Sequence, residues 1–241
     1  MRTRTSICAL RTMAVRVTNN PGERLSSALP LTVTIRSLRA QSGGAEVVLQ
    51  ILLESGEHQE QKTLLLSTEQ YYELKPCRGV ITEEAYERLE AASQLCNAVR
   101  SGENLLSYGS NTVQALARKL VQKGYPREVA VNAARKLENM GLIDESRDVC
   151  REVEKCLHKL WGAKRIQSHL WSRGFSAEAM SALPELLAEV DFARNCASLV
   201  QKHYGGLPTD ADEQRRMTAG LSRYGYSLSE IRAAFQILKK L

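Results

Sequence analysis

No apolar run in this 241-residue chain approaches the roughly 20 residues that a membrane-spanning helix needs. There is no G-x-x-x-x-G-K-[ST] loop and no G-x-G-x-x-G behind a strand, so the usual nucleotide cradles are missing. The six cysteines, Cys8, Cys77, Cys96, Cys150, Cys156 and Cys196, contain no C-x-x-C pair, and no apolar signal core precedes them. They read as structural or free thiols of a reducing cytosol. Cys156 and His158 stand two apart, but no second ligand pair follows, so no zinc site is expected. The four histidines, His58, His158, His169 and His203, are scattered, and none falls into a Ser/His or Cys/His arrangement. The chain reads as a non-enzyme with no metal and no cofactor, in which His169 packs or faces solvent.

What the chain does have is a ten-residue block that occurs three times. It reads LARKLVQKGY at Leu116–Tyr125, IQSHLWSRGF at Ile166–Phe175 and MTAGLSRYGY at Met217–Tyr226, at spacings of 50 and 51 residues. A period of that size marks a duplicated supersecondary unit. The first and fifth positions are aliphatic and fall on one helix face. The block ends in glycine and an aromatic, Gly124-Tyr125, Gly174-Phe175 and Gly225-Tyr226. Glycine suits the left-handed residue that closes a helix, and the aromatic can fold back on the last turn. A second helix follows each turn. Ser176 and Ser227 suit its N-cap, Ser227 with Glu230 forms a capping box, and Pro126 stands there in the first copy. Its apolar face recurs as Ala130, Ala133, Leu137; Met180, Leu183, Leu187; and Ile231, Ala234, Leu238. Pro184 should kink or restart the second of these helices.

Taken in order, residues 1–30 read as a disordered leader. Residues 31–90 read as a small β-rich domain: strands at Leu31–Leu38, Val47–Leu53 and Lys62–Leu66, a hairpin turn at Glu54–Glu57, a short helix capped by Ser67, and a helix start at Thr82. From Ala91 everything reads as helix, in three units at 91–143, 144–190 and 191–241. The fold expected is mainly α: three tandem three-helix, helix-turn-helix-like repeats in an elongated curved array behind the β-rich domain. Tyr108, Trp161 and Tyr204 close the first helix of each unit and read as core anchors.

The net charge is +6, and residues 101–241 supply most of it, with 21 Lys and Arg against 16 Asp and Glu. Each repeated helix carries three basic residues near its apolar stripe: Arg118, Lys119 and Lys123; Lys164, Arg165 and Arg173; Arg215, Arg216 and Arg223. A solvated helix face explains such charge, and so does a basic band along the concave side of an array, facing an acidic groove or phosphates. No unit shows the Asn, Gln or Arg constellation of base readout. A stand-alone DNA-binding protein using its hairpins is the alternative reading.

With the repeats laid out, residues 31–241 resemble the RecX family of bacterial regulatory proteins. The resemblance rests on the N-terminal strands, the AVRSGENLLSY helix, the three glycine-aromatic blocks, and Gly141-Leu142-Ile143-Asp144-Glu145, which fits the family's Gly-Leu-Ile-Asp-Asp/Glu. It implies a cytoplasmic, monomeric regulator in recombinational DNA repair and the SOS response. Such a regulator binds the RecA recombinase and its nucleoprotein filament and restrains it, with at most weak phosphate contacts to DNA and none to membrane. One departure stands out. Where the family usually carries Arg-x-Arg-Ser, this chain has Gly109-Ser110-Asn111-Thr112, so two positive charges are missing.

Overall fold

Alternating apolar residues build the sheet first. In the computed structural model, which describes residues 32–240, β1 (Thr32–Gln41), β2 (Glu46–Ser55), β3 (His58–Ser67) and β4 (Gly79–Ile81) form one antiparallel sheet in the order β3-β2-β1-β4. The leader expected at 1–30 lies outside these residues. A bulge between Ile35 and Ser37 shifts the β1–β2 register. Val33, Ile35, Leu49, Ile51, Leu64 and Leu66 turn one face inward, against Tyr86 and Leu89. Two strands run longer than their apolar pattern, because β3 begins with the polar His58–Gln61 and β1 continues past Leu38. β4 was not expected: three residues between a proline turn and a helix cap are too few to show alternation.

Helix α1 (Thr68–Leu74) carries the Ser67 cap, with Gln70 completing a capping box. Helix α2 (Glu83–Ser107) starts at the Thr82 cap and runs unbroken for 25 residues. The boundary expected at 90/91 therefore falls inside a helix. The N-terminal half of α2 buries Tyr86 and Leu89 on the sheet, and further along Ala98 packs into the first helical core. A single rigid rod thus belongs to both parts.

The remaining helices are α3 (Val113–Gln122), α4 (Arg127–Asn139), α5 (Glu145–His158), α6 (Ala163–Arg173), α7 (Leu183–Ala188), α8 (Phe192–Tyr204), α9 (Ala211–Arg223) and α10 (Leu228–Leu238). Side chains cap six of these starts or turns: Ser176 and Ser227, as the sequence suggests, and also Thr112, Asp144, Asp191 and Asp210. Residues 177–182 form turns rather than helix, and α7 restarts with Pro184 in its first turn. Leu116, Leu120, Ala130, Ala133 and Leu137 form one core; a second, continuous one runs through α5 to α10. The expected division at 190/191 is crossed by that shared core. Two of the three aromatics read as anchors are not: Tyr108 is 91% exposed and Tyr204 47%, because each closes a helix beside an open loop. Trp161 packs against the core from its edge.

Each block closes in the same way. Gly124, Gly174 and Gly225 take φ of 97°, 82° and 96°, and the aromatic N–H that follows bonds back to Leu120, Leu170 or Leu221. Two of the turns are also docking points. Gly162 N–H, at the start of α6, donates to Tyr224 O at 2.8 Å, and Lys164 N–H donates to Gly225 O at 3.2 Å. Tyr226 Oη donates to Leu160 O at 2.7 Å. Thr112 Oγ1, at the cap of α3, donates to Arg173 O at 3.1 Å beside the Gly174 turn.

The docked glycines have no room for a side chain. A Cβ on Gly225 would lie 2.4 Å from Arg165 N, one on Gly162 2.3 Å from Gly225 C, and one on Gly174 2.4 Å from the mobile end of Gln114, whereas one on Gly124 meets nothing. Gly124→Ala should therefore cost about 1–2 kcal/mol, the backbone penalty alone. Gly174→Ala should cost more, and Gly225→Ala roughly 3–5 kcal/mol, since there the backbone itself must move. Urea denaturation of the three variants checks the order; equal costs at Gly124 and Gly225 would contradict the docking.

Candidate functional site

Helical spacing sends the aliphatic residues of each block inward and leaves its basic residues beside them. Arg118, Lys119, Lys123, Lys164, Arg173, Arg215, Arg216 and Arg223 are exposed on or next to α3, α6 and α9; Arg165 is half-buried. Their surroundings differ. Arg165 is held between two rings, its guanidinium carbon 4.2 Å from the Trp161 centroid and 5.0 Å from that of Tyr224. Such stacking gives Arg165 a packing role at the α6–α9 joint. Arg173 pairs with Glu152 at 3.3 Å and Arg215 with Asp212 at 3.2 Å. Lys119 donates to Asn111 Oδ1, and Asn111 is itself buried, with its Nδ2 donating to Gly109 O. The loop that lacks two arginines thus uses an asparagine to hold the neighbouring lysine. Arg216 lines an open cavity of about 480 Å³ with Tyr204, Gly206 and Pro208.

Two buried acids were not legible from the sequence as site residues. Glu145 follows the cap of α5, and its carboxylate bridges two chain segments: Oε1 accepts from Val113 N–H and Oε2 from Ser176 N–H, both at 2.8 Å. Both donors open turns whose N–H groups have no partner inside their own helix, so a carboxylate suits them. This gives a physical reason for an acid at the end of Gly-Leu-Ile-Asp-Glu.

Glu152 is the second. It sits on α5 one turn before Cys156, so both face α6. Glu152 Oε1 meets His169 Nε2 at 3.1 Å and Arg173 at 3.3 Å, while Oε2 meets Lys155 at 3.3 Å. The His169 ring stands edge-on to Trp161, with centroids 5.2 Å apart and planes at 87°. Burial pushes the Glu152 carboxyl up, but the His169 hydrogen bond and the charges of Arg173 and Lys155 outweigh it and hold it below the ordinary value. The expectation that no histidine joins a cysteine needs correction. Cys156, Glu152 and His169 come together, while His158, the partner tested on spacing, is exposed. The signal was i, i+4 on α5, but the third member lies on the next helix, out of reach of local spacing. Among the described residues this is the one cluster of three such groups, and no helix is long and apolar enough to cross a membrane.

A small antiparallel N-terminal sheet followed by a mainly helical chain is an architecture shared with two solved structures. A crystal structure of regulatory protein RecX matches with TM-score 0.60 at 20% identity, over 87% of this chain and all of that one. The crystal structure of RecX from Lactobacillus salivarius gives 0.53 at 19%, over 62% of this chain and 99% of that one. No family model matches the chain. Its sequence is 30% identical over 139 residues to regulatory protein RecX of Pelodictyon phaeoclathratiforme, covering 56% of this chain and 84% of that protein. It is 34% identical over 134 residues to regulatory protein RecX of Pseudomonas savastanoi pv. phaseolicola, covering 55% and 85%. The chain belongs to the RecX family of regulatory proteins. These relatives are named as regulators, not as enzymes.

The Glu152 ion cluster has a pH signature. A carboxyl held below its ordinary value stabilises the fold above pH about 4.5 and loses that contribution as pH falls through its folded pKa. Glu152→Gln should cost about 1–3 kcal/mol at pH 7. The gap between the two proteins, followed by urea denaturation, should shrink below pH 4.5; a gap that stays constant down to pH 3 would show that the charge carries none of it.

Proposed function

We propose that the chain binds the filament of a RecA-class recombinase and restrains it. The protein would lie along the filament groove, block productive strand exchange, and disfavour subunit addition or ATP turnover. The observation that carries this reading is the exposure of basic side chains on α3, α6 and α9, the first helix of each repeated block. Family membership supplies the regulatory role; the recombinase and the inhibition come from the resemblance.

In this reading residues 91–143, 144–190 and 191–241 are three-helix repeats of an elongated curved array, behind the β-rich region at 31–90. The glycine turns support it, since the starts of α3 and α6 each dock on the turn of the following block. The third block begins differently. Helix α9 begins six residues ahead of Met217, whereas α3 and α6 begin three ahead of Leu116 and Ile166. A further turn of helix stands there in the place where the earlier blocks meet their neighbour. The array acts as a cytoplasmic monomer, without a catalytic group.

The chain should co-sediment with recombinase filaments on single-stranded DNA at salt concentrations where it leaves naked DNA in the supernatant. Binding to naked DNA as tight as to filaments would instead favour the stand-alone DNA-binding reading. Three charge-removed variants locate the contact: Lys119 and Lys123 to Ala, Lys164 to Ala, and Arg215, Arg216 and Arg223 to Ala. Each of these changes should alter stability by roughly 0.5 kcal/mol or less, except Lys119→Ala, which leaves the buried Asn111 Oδ1 without its donor and should cost about 1–3 kcal/mol. The second and third variants should lose filament binding several-fold, and each lost phosphate contact should reduce the salt slope by about one. The first should lose least, because its loop already lacks two arginines. Inhibition of recombinase ATP hydrolysis equal to the parent's in all three, at two salt concentrations, would remove the band from the interface.

A further inference from the structure

The α5–α6 packing brings three metal-ligating groups of different chemistry to one point, and from their placement we infer that Glu152, Cys156 and His169 form a zinc-class cation site. The inference is independent of the filament reading. A Glu152 carboxylate oxygen, Cys156 Sγ and a ring nitrogen of His169 all lie within 4.8 Å of one another. Zinc bonds of about 2.0–2.3 Å put tetrahedral ligand atoms roughly 3.4–3.8 Å apart, so a side-chain shift of about 1 Å closes the set. The helix spacing fixes two of the three, and Trp161 stands against the imidazole and limits its rotation. Such prior orientation is what a ligand set needs.

The donor types select the ion. A thiolate with an imidazole and one carboxylate suits zinc or cobalt rather than magnesium or calcium, which prefer oxygen shells. Cys156 is fully buried and His169 keeps a quarter of its side chain exposed, so the open fourth position lies on the histidine side, where water can enter. Binding replaces the thiol proton with a sulfur–metal bond and releases that proton to solvent. One thiolate and one carboxylate then balance the two charges of the ion.

A cation already sits on the carboxylate. Arg173 Nη1 is 3.3 Å from Glu152 Oε1, the same oxygen that meets His169, so the metal and Arg173 compete for it. Arg173 is 42% exposed and can turn outward. Lys155 holds the other oxygen from a solvated position and need not move. A purely structural ion network would be complete with Glu152, His169, Arg173 and Lys155. In that network Cys156 would serve only as an apolar member of the α5–α10 core, and its thiol would stay protonated.

Cobalt titration of the chelator-stripped full chain tests the site. One equivalent should bind with a thiolate-to-cobalt charge-transfer band, and one equivalent of zinc should bleach it. Cys156→Ala and His169→Gln, folded by circular dichroism, should lose the band, while Cys150→Ala, at an exposed cysteine of the same helix, should keep it. Arg173→Ala removes the competing cation and should bind cobalt several-fold more tightly. Absence of the band in the parent, or its persistence in Cys156→Ala, overturns the site. Should the ligand variants fail to fold, the parent and Arg173→Ala decide: a parent without the band, or an Arg173→Ala that binds no tighter, is equally contrary.

Discussion

Two glycine backbones meet where the start of α6 sits against the turn after α9. Gly162 donates to Tyr224 O, Lys164 to Gly225 O, and a Cβ at either glycine would overlap the opposite main chain. Main chain seldom approaches main chain this closely outside a sheet, and only glycine permits it. Around this contact the rest of the α5–α10 core is arranged. Tyr226 reaches across to Leu160 O, Arg165 is clasped between Trp161 and Tyr224, and the apolar faces of both blocks merge into one cluster. The joint between the first two blocks uses the same places with different atoms: the Thr112 hydroxyl replaces the Gly162 N–H, and the Glu145 carboxylate ties in the next chain segment.

That arrangement sorts the basic residues by what they can do. Arg165 is committed to the joint and Arg173 to the Glu152 cluster, so neither is simply surface charge. Arg118, Lys123, Lys164, Arg216 and Arg223 remain exposed, with no ion pair among the described residues, and offer charge to a partner at low structural cost. Family membership says the chain is a regulator; the division between structural and available charge says which side chains a partner can recruit without loosening the fold.

Local signals in the sequence carried far. Helix starts at Ser67, Thr82 and Ser227, the hairpin, and the three glycine closures all stand where capping chemistry and periodicity put them. Each is decided by a few neighbouring residues. What the sequence hid is what distant residues decide together. Helix α2 reads as a joint between two parts because nothing in its sequence marks it as a rod shared by sheet and helices. Tyr108 reads as an anchor because an aromatic at a helix end usually packs, yet among the described residues it stands exposed. The Glu152 cluster joins residues 17 and 21 positions apart across two helices, beyond any local pattern. The same distance explains why Arg165 looked equivalent to its neighbours: Tyr224, which clasps it, lies a full repeat away.

The joint can be observed without altering the protein. Native-state hydrogen exchange reads the amides of Gly162 and Lys164, which donate across it, against those of the α5 and α8 interiors. If the glycine contact holds the helical region together, the two joint amides exchange only with global unfolding, at the rate of the core. Exchange of Gly162 and Lys164 at the rate of an exposed turn, while α5 and α8 stay protected, would mean that the blocks fold and move separately.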